Sequence, residues 1–163
     1  MSLIAFDFAR TLSASEMTVL LAGRAGVADE VAEITERAMN DELSYAESLY
    51  RRAELLEGLS DEAVAAAFDA VRIRPGAARL IDRLRDAGHR VAVLTGGFER
   101  GVEAALDREG VAVDAIVANR LPSADGALTG AGEGPLIEGT KDDASESLAA
   151  APGAPTTYTP ACG

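Results

Sequence analysis

The chain has one cysteine, one lysine and no long apolar run, and each shortage removes a class of function. Cys162 has no partner within the sequence, so a disulfide framework is excluded and a cysteine metal cluster is not expected. A membrane-spanning helix needs about 20 mainly apolar residues, and no window of this chain holds even eighteen in succession. The opening Met1-Ser-Leu-Ile-Ala-Phe-Asp7 carries neither a basic leader nor a small-residue cleavage site, so the expected address is the cytoplasm. Positive charge is scarce as well. Against 27 Asp and Glu stand 15 Lys and Arg, and the net charge of −12 repels nucleic acid and anionic lipid, which excludes both as partners.

What remains is ample for a globular core: 163 residues, 48% of them hydrophobic. All basic residues but Lys141 are arginine. An acidic, lysine-poor chain rich in Ala suits a salt-adapted cytoplasmic protein, and a GC-rich genome would leave the same pattern; the sequence supports both explanations.

The order of elements predicts an α/β protein. Leu3 to Phe8 is a short apolar run with the length of a buried parallel strand. From Ser15 to about Val71 the pattern is helical, broken at Ala25-Gly26, Asn40-Asp41 and Gly58-Leu59, with Ser60-Asp-Glu62 as a helix start. Pro75-Gly76 opens a helix to Ala87-Gly88, Arg90 to Thr95 reads as a second buried strand, and a helix from about Phe98 to Glu109 stops at Gly110. A third strand is expected near Asp114 to Ala118, a hairpin turn at Asp125-Gly126 between Leu121 and Leu128, and a helix from about Lys141 to Ala150. Strand alternating with helix gives a parallel sheet covered by helices. Residues 151–163 hold three prolines and no charge, which suits neither a central strand nor a helix.

Asp7 stands at the carboxyl end of the first strand, where open parallel sheets place their ligand crevice. An Asp in that position commonly serves as a cap, but its neighbours point elsewhere. Phe6-Asp-Phe-Ala-Arg-Thr-Leu12 resembles the first motif of the haloacid dehalogenase superfamily, in which the leading Asp attacks phosphorus and forms an aspartyl phosphate. Val91-Ala-Val-Leu-Thr-Gly-Gly-Phe98 is similar to the second motif, with Thr95 as phosphate donor and Gly96-Gly97 offering backbone N–H groups to an anion. Gly139-Thr-Lys-Asp-Asp143 matches the third, with Lys141 neutralising the transferring phosphoryl group.

The helical insert narrows the resemblance to the phosphoserine phosphatase branch, whose four-helix cap contributes a Glu and an Arg that grip the substrate's amino and carboxylate groups. Glu16 falls where that Glu is expected, nine residues after Asp7. The stretch from Ser44 to Leu59 looks like the cap segment that carries the Arg, which it sets at Arg52. Val117-Ala-Asn-Arg-Leu121 and Asp125-Gly-Ala-Leu-Thr-Gly130 resemble the family's connecting segments.

This resemblance implies a Rossmann-like parallel sheet with helices on both faces, residues 1–13 and 73–163 forming the core and 14–72 the cap. It implies hydrolysis of a small phosphorylated metabolite, L-phosphoserine to L-serine and phosphate, in serine biosynthesis. It also implies Mg²⁺ held by the Asp7 carboxylate and the Ala9 backbone carbonyl. Two parts of the pattern are missing. The motif's second Asp, its proton-transfer group, is Ala9, and no Gly-Asp-Gly-x-x-Asp fourth motif follows Lys141, so the Mg²⁺ site lacks its acidic ligands and the core is expected to be C-terminally truncated. Impaired hydrolysis is therefore expected, with a non-catalytic phosphoserine binder or a truncated gene product as alternatives.

Overall fold

In this computed structural model, residues 2–7, 14–138 and 156–158 are described. Leu3–Asp7 (β1), Arg90–Phe98 (β2) and Ala115–Asn119 (β3) pair in parallel, and Thr156–Tyr158 (β6) joins the other side of β1, giving the order β3-β2-β1-β6. The strands alternate between two faces. Phe6, Val91 and Val93 enter the main core, whereas Leu3, Ala5, Ala92 and Leu94 enter a smaller cluster on the opposite face. Burial on both sides explains why these segments are apolar throughout.

Helices cover both faces, as expected. Ala77–Asp86 (α5) and Glu99–Glu109 (α6) bring Ile81, Val102 and Leu106 to the main core, and Pro135–Glu138 (α7) brings Leu136 to the smaller cluster. Gly110 ends α6 in the left-handed conformation, at φ +66°, which only glycine adopts at little cost.

Between β1 and α5 lie four helices among the described residues: Ala14–Ala25 (α1), Ala28–Met39 (α2), Tyr45–Leu55 (α3) and Asp61–Phe68 (α4). Ser44 and Ser60 cap α3 and α4, accepting from Glu47 N–H and Ala63 N–H, each at 3.1 Å. Met17, Leu21, Leu49, Leu56, Val64 and Phe68 of this bundle share one apolar cluster with Phe98 and Val102 of the sheet region. The bundle is also tied down by the hairpin of Ser123–Ala124 (β4) and Ala127–Leu128 (β5), since Gly58 N–H donates to the Leu128 carbonyl and Asp61 N–H to the Gly126 carbonyl, both at 2.9 Å. Asp125 and Gly126 have φ of +54° and +81°, the backbone of a type I′ hairpin turn, so the Asp-Gly signal is met.

Two expectations shift. The second strand does not stop at Thr95 but runs through Gly96 and Gly97 to Phe98, with its pairing to β3 slipping between Leu94 and Phe98. The third strand is displaced by one residue, to Ala115–Asn119. The proline-rich end, expected to suit no central strand, agrees with that expectation: it contributes β6 at the sheet's edge, a position that requires pairing on one side only. The helix expected from Lys141 to Ala150 lies outside the described residues.

Candidate active site

Three parallel strands bring polar residues to one edge of the sheet. β1 ends at Asp7, opposite Leu94 of β2; Thr95 follows Leu94, and Asn119 closes β3. Thr95 is fully buried, and its Oγ1 accepts a hydrogen bond from Gly97 N–H at 3.1 Å. A hydroxyl that accepts in this way has its oxygen held in one orientation. The same bond corrects the expectation that both glycines offer N–H groups to an anion, because that of Gly97 is directed at Thr95. Gly96-Gly97 thus forms an irregularity within a strand rather than an open turn.

The Gly96 carbonyl is approached from two sides. Asn119 Nδ2 donates to it at 3.1 Å, and the Tyr45 hydroxyl of α3 reaches the same oxygen at 3.5 Å. Asn119 Oδ1 meanwhile accepts from Leu136 N–H at 3.0 Å, so one buried carboxamide joins the segment after Thr95 to α7. Gly134 makes that approach possible: its φ is +140°, and a Cβ there would lie 2.6 Å from both Asn119 Cα and Oδ1.

Arg52 sits in α3 with only 2% of its surface exposed. Its Nε donates to the Ser48 carbonyl at 3.2 Å and its Nη1 to Thr18 Oγ1 of α1 at 3.3 Å. Burial pushes the guanidinium below the ordinary arginine range, with the nearby Tyr45 phenol acting in the opposite direction. Desolvation raises Tyr45 in turn, opposed by the charge of Arg52. Both residues line a cleft of about 360 Å³ between α2 and α3. Glu16, exposed in the first turn of α1, lines a different cleft of about 550 Å³ with Arg72 and Arg74.

The family model for haloacid dehalogenase-like hydrolases matches residues 4–163. The chain belongs to this family. Within it the chain is phosphoserine phosphatase-like: it is 63% identical over 144 residues to a phosphoserine phosphatase of Halobacterium salinarum, covering 88% of this chain and 68% of that protein. A phosphoserine phosphatase of Mycobacterium tuberculosis is 42% identical over 136 residues, or 83% of this chain and 33% of that protein. The chain therefore spans about two thirds of one of these relatives and a third of the other. A solved structure described as a phospho-aspartyl intermediate analogue of phosphoserine phosphatase superposes with a TM-score of 0.77 at 36% identity, covering 98% of this chain and 77% of that one.

Of the residues expected from the motifs, the fold brings Asp7, Thr95, Gly96 and Gly97 to one end of the sheet, while Arg52 and Glu16 line separate clefts of the helical bundle. Ala9 and Lys141 lie outside the described residues. The family is generally Mg²⁺-dependent, but among the described residues no three Asp, Glu, His or Cys side chains gather as ligands of a metal. Asn119 and Tyr45 were not anticipated. Asn119 was accessible to the rule that selected Asp7, being a polar residue closing an apolar strand, whereas the approach of Tyr45 to Gly96 spans 51 residues of sequence and has no local signal.

Proposed function

We propose that this chain acts on a small phosphomonoester, L-phosphoserine, by the aspartyl-phosphate route of its family. The observation that carries this is the register of Asp7 against Leu94, which puts Asp7, the last residue of β1, next to the Leu94-Thr95 step of β2, where the Thr95 hydroxyl is oriented by Gly97 N–H. In the proposed reaction an Asp7 carboxylate oxygen attacks phosphorus, the P–O bond to serine breaks, and water then cleaves the aspartyl phosphate. Thr95 donates to a phosphoryl oxygen and Lys141 neutralises its charge, so that positioning and electrostatics supply most of the effect. Helices α1–α4 act as the cap, where Arg52 takes the carboxylate. No membrane-crossing helix occurs among the described residues, and we assign the work to the cytoplasm.

Ala9 favours a second reading, a phosphoserine binder that turns over slowly, because alanine cannot protonate the leaving oxygen. The loss of such a group costs about 10²- to 10⁴-fold in rate. The test is phosphate release from L-phosphoserine at high protein concentration, with and without Mg²⁺, for the chain and for Ala9→Asp. Slow release, accelerated by Ala9→Asp, supports the hydrolase. Calorimetric binding without release in either protein supports the binder, and neither binding nor release overturns both.

A further inference from the structure

Resting on the phosphomonoester reading, we infer that Asn119 is a positioning residue of the phosphate site, whose carboxamide fixes the peptide group that orients the Thr95 hydroxyl. β2 passes this point with its pairing interrupted: Leu94 is in register with Val117 and Phe98 with Asn119, while Thr95, Gly96 and Gly97 have no counterpart on β3. Backbone that leaves its ladder must be held by other partners. The carbonyl of Gly96 and the N–H of Gly97 belong to one trans peptide group and so point in opposite directions. The carbonyl accepts from Asn119 Nδ2 at 3.1 Å, and the N–H donates to Thr95 Oγ1, also at 3.1 Å. Whatever holds the carbonyl therefore aims the N–H, and the N–H sets where the hydroxyl oxygen sits.

Asn119 is itself held. It is completely buried, and its Oδ1 accepts from Leu136 N–H at 3.0 Å. That bond fixes which way the carboxamide is turned, because Leu136 N–H can only donate and the Gly96 carbonyl can only accept. The bonds run head to tail from Leu136 through Asn119 and the Gly96-Gly97 peptide to Thr95, an arrangement in which each polarises the next. The Tyr45 hydroxyl reaches the same carbonyl at 3.5 Å, beyond the usual hydrogen-bond distance, so the carboxamide makes the stronger contact. Asn119 thus acts on the phosphate site through Thr95, without touching the ligand.

Asn119→Asp keeps the shape and the acceptor for Leu136 N–H, but replaces the donor facing Gly96 with a carboxylate oxygen that repels the carbonyl. Affinity for inorganic phosphate, read by calorimetry on the full chain, should fall about tenfold, the loss expected when a hydrogen bond to a charged group is misplaced. In a Thr95→Val background the same substitution should change affinity by less than about twofold, since no hydroxyl remains to be oriented, whereas a merely structural asparagine would weaken both backgrounds alike. A second measurement does not depend on any variant folding. As phosphate is titrated into the isotope-labelled, unsubstituted chain, the resonances of Gly97 N–H, the Asn119 carboxamide and Leu136 N–H should move along one binding curve. Arg120 N–H, adjacent in sequence but bonded to the Glu133 carbonyl, should stay in place. Undiminished phosphate affinity in Asn119→Asp, equal loss in both backgrounds, or a shift confined to Gly97 overturns the assignment and leaves the phosphomonoester reading standing. If the unsubstituted chain binds no phosphate and none of these resonances moves, the functional reading fails and this one with it.

Discussion

Arg52 Nη1 lies 3.3 Å from Thr18 Oγ1, a bond between residues 34 apart in sequence, on two helices that are both sealed from solvent at this point. A buried guanidinium keeps its charge only if oxygens surround it, and Thr18 supplies one of them. Thr18→Val preserves shape and removes the oxygen. Chemical denaturation should show a loss of about 1–3 kcal/mol, with Thr18→Ser close to the unsubstituted chain. Arg52→Lys keeps the charge without the planar fork, so phosphoserine affinity should fall at least about tenfold while phosphate affinity is unchanged.

The part of this arrangement that was legible in the sequence is the part encoded locally. Apolar runs marked β1 and β2, Ser60 and Gly110 marked helix ends, and Asp125-Gly126 marked the hairpin, because each depends on the conformational limits of a few neighbouring residues. Residue type at a strand end singled out Asp7 and Thr95. What the sequence concealed depends on packing between distant segments. The Gly97 N–H was expected to face an anion and instead meets Thr95; β6 pairs with β1 although its segment is rich in proline; and Asn119 reaches both Gly96 and Leu136 across a turn whose closeness Gly134 permits.

Thr95→Val should therefore affect two properties. The substitution leaves the buried Gly97 N–H without its acceptor, which costs about 1–3 kcal/mol, and it deletes the donor proposed for the phosphoryl group. Thermal melting and phosphate calorimetry should both decline, and Thr95→Ser should restore most of each.

Gly134→Ala tests the bracket made by Asn119. A Cβ at residue 134 would fall 2.6 Å from a backbone atom, Asn119 Cα, and the backbone there has a φ that alanine disfavours. Because neither constraint is relieved by turning a flexible side chain, a loss of more than about 2 kcal/mol is expected. The amide resonances of Gly97 and Leu136 should shift together, since one carboxamide serves both segments.

Acid and salt should act on α6 through Glu103. Desolvation raises its pKa above the ordinary glutamate value of 4.5, and Glu99 and Asp107, one turn away on either side, raise it further, against the pull of Arg100. A carboxyl whose folded pKa is raised adds stability in its protonated form. That contribution is complete below 4.5 and disappears as pH rises through the folded value. At neutral pH the charged form therefore destabilises the helix, and Glu103→Gln, which mimics the protonated state, should stabilise it. Like-charge pairs one turn apart cost about 0.2–0.5 kcal/mol each, and exposure to solvent reduces the effect, so a gain of a few tenths of a kcal/mol is expected. The gain should vanish below about pH 4, where the carboxyl is protonated in both states, and shrink in about 1 M salt, where the Debye length falls to about 3 Å. Melting curves of the two proteins across pH and salt read the difference directly, and a gain that persists at low pH would assign the effect to packing rather than charge.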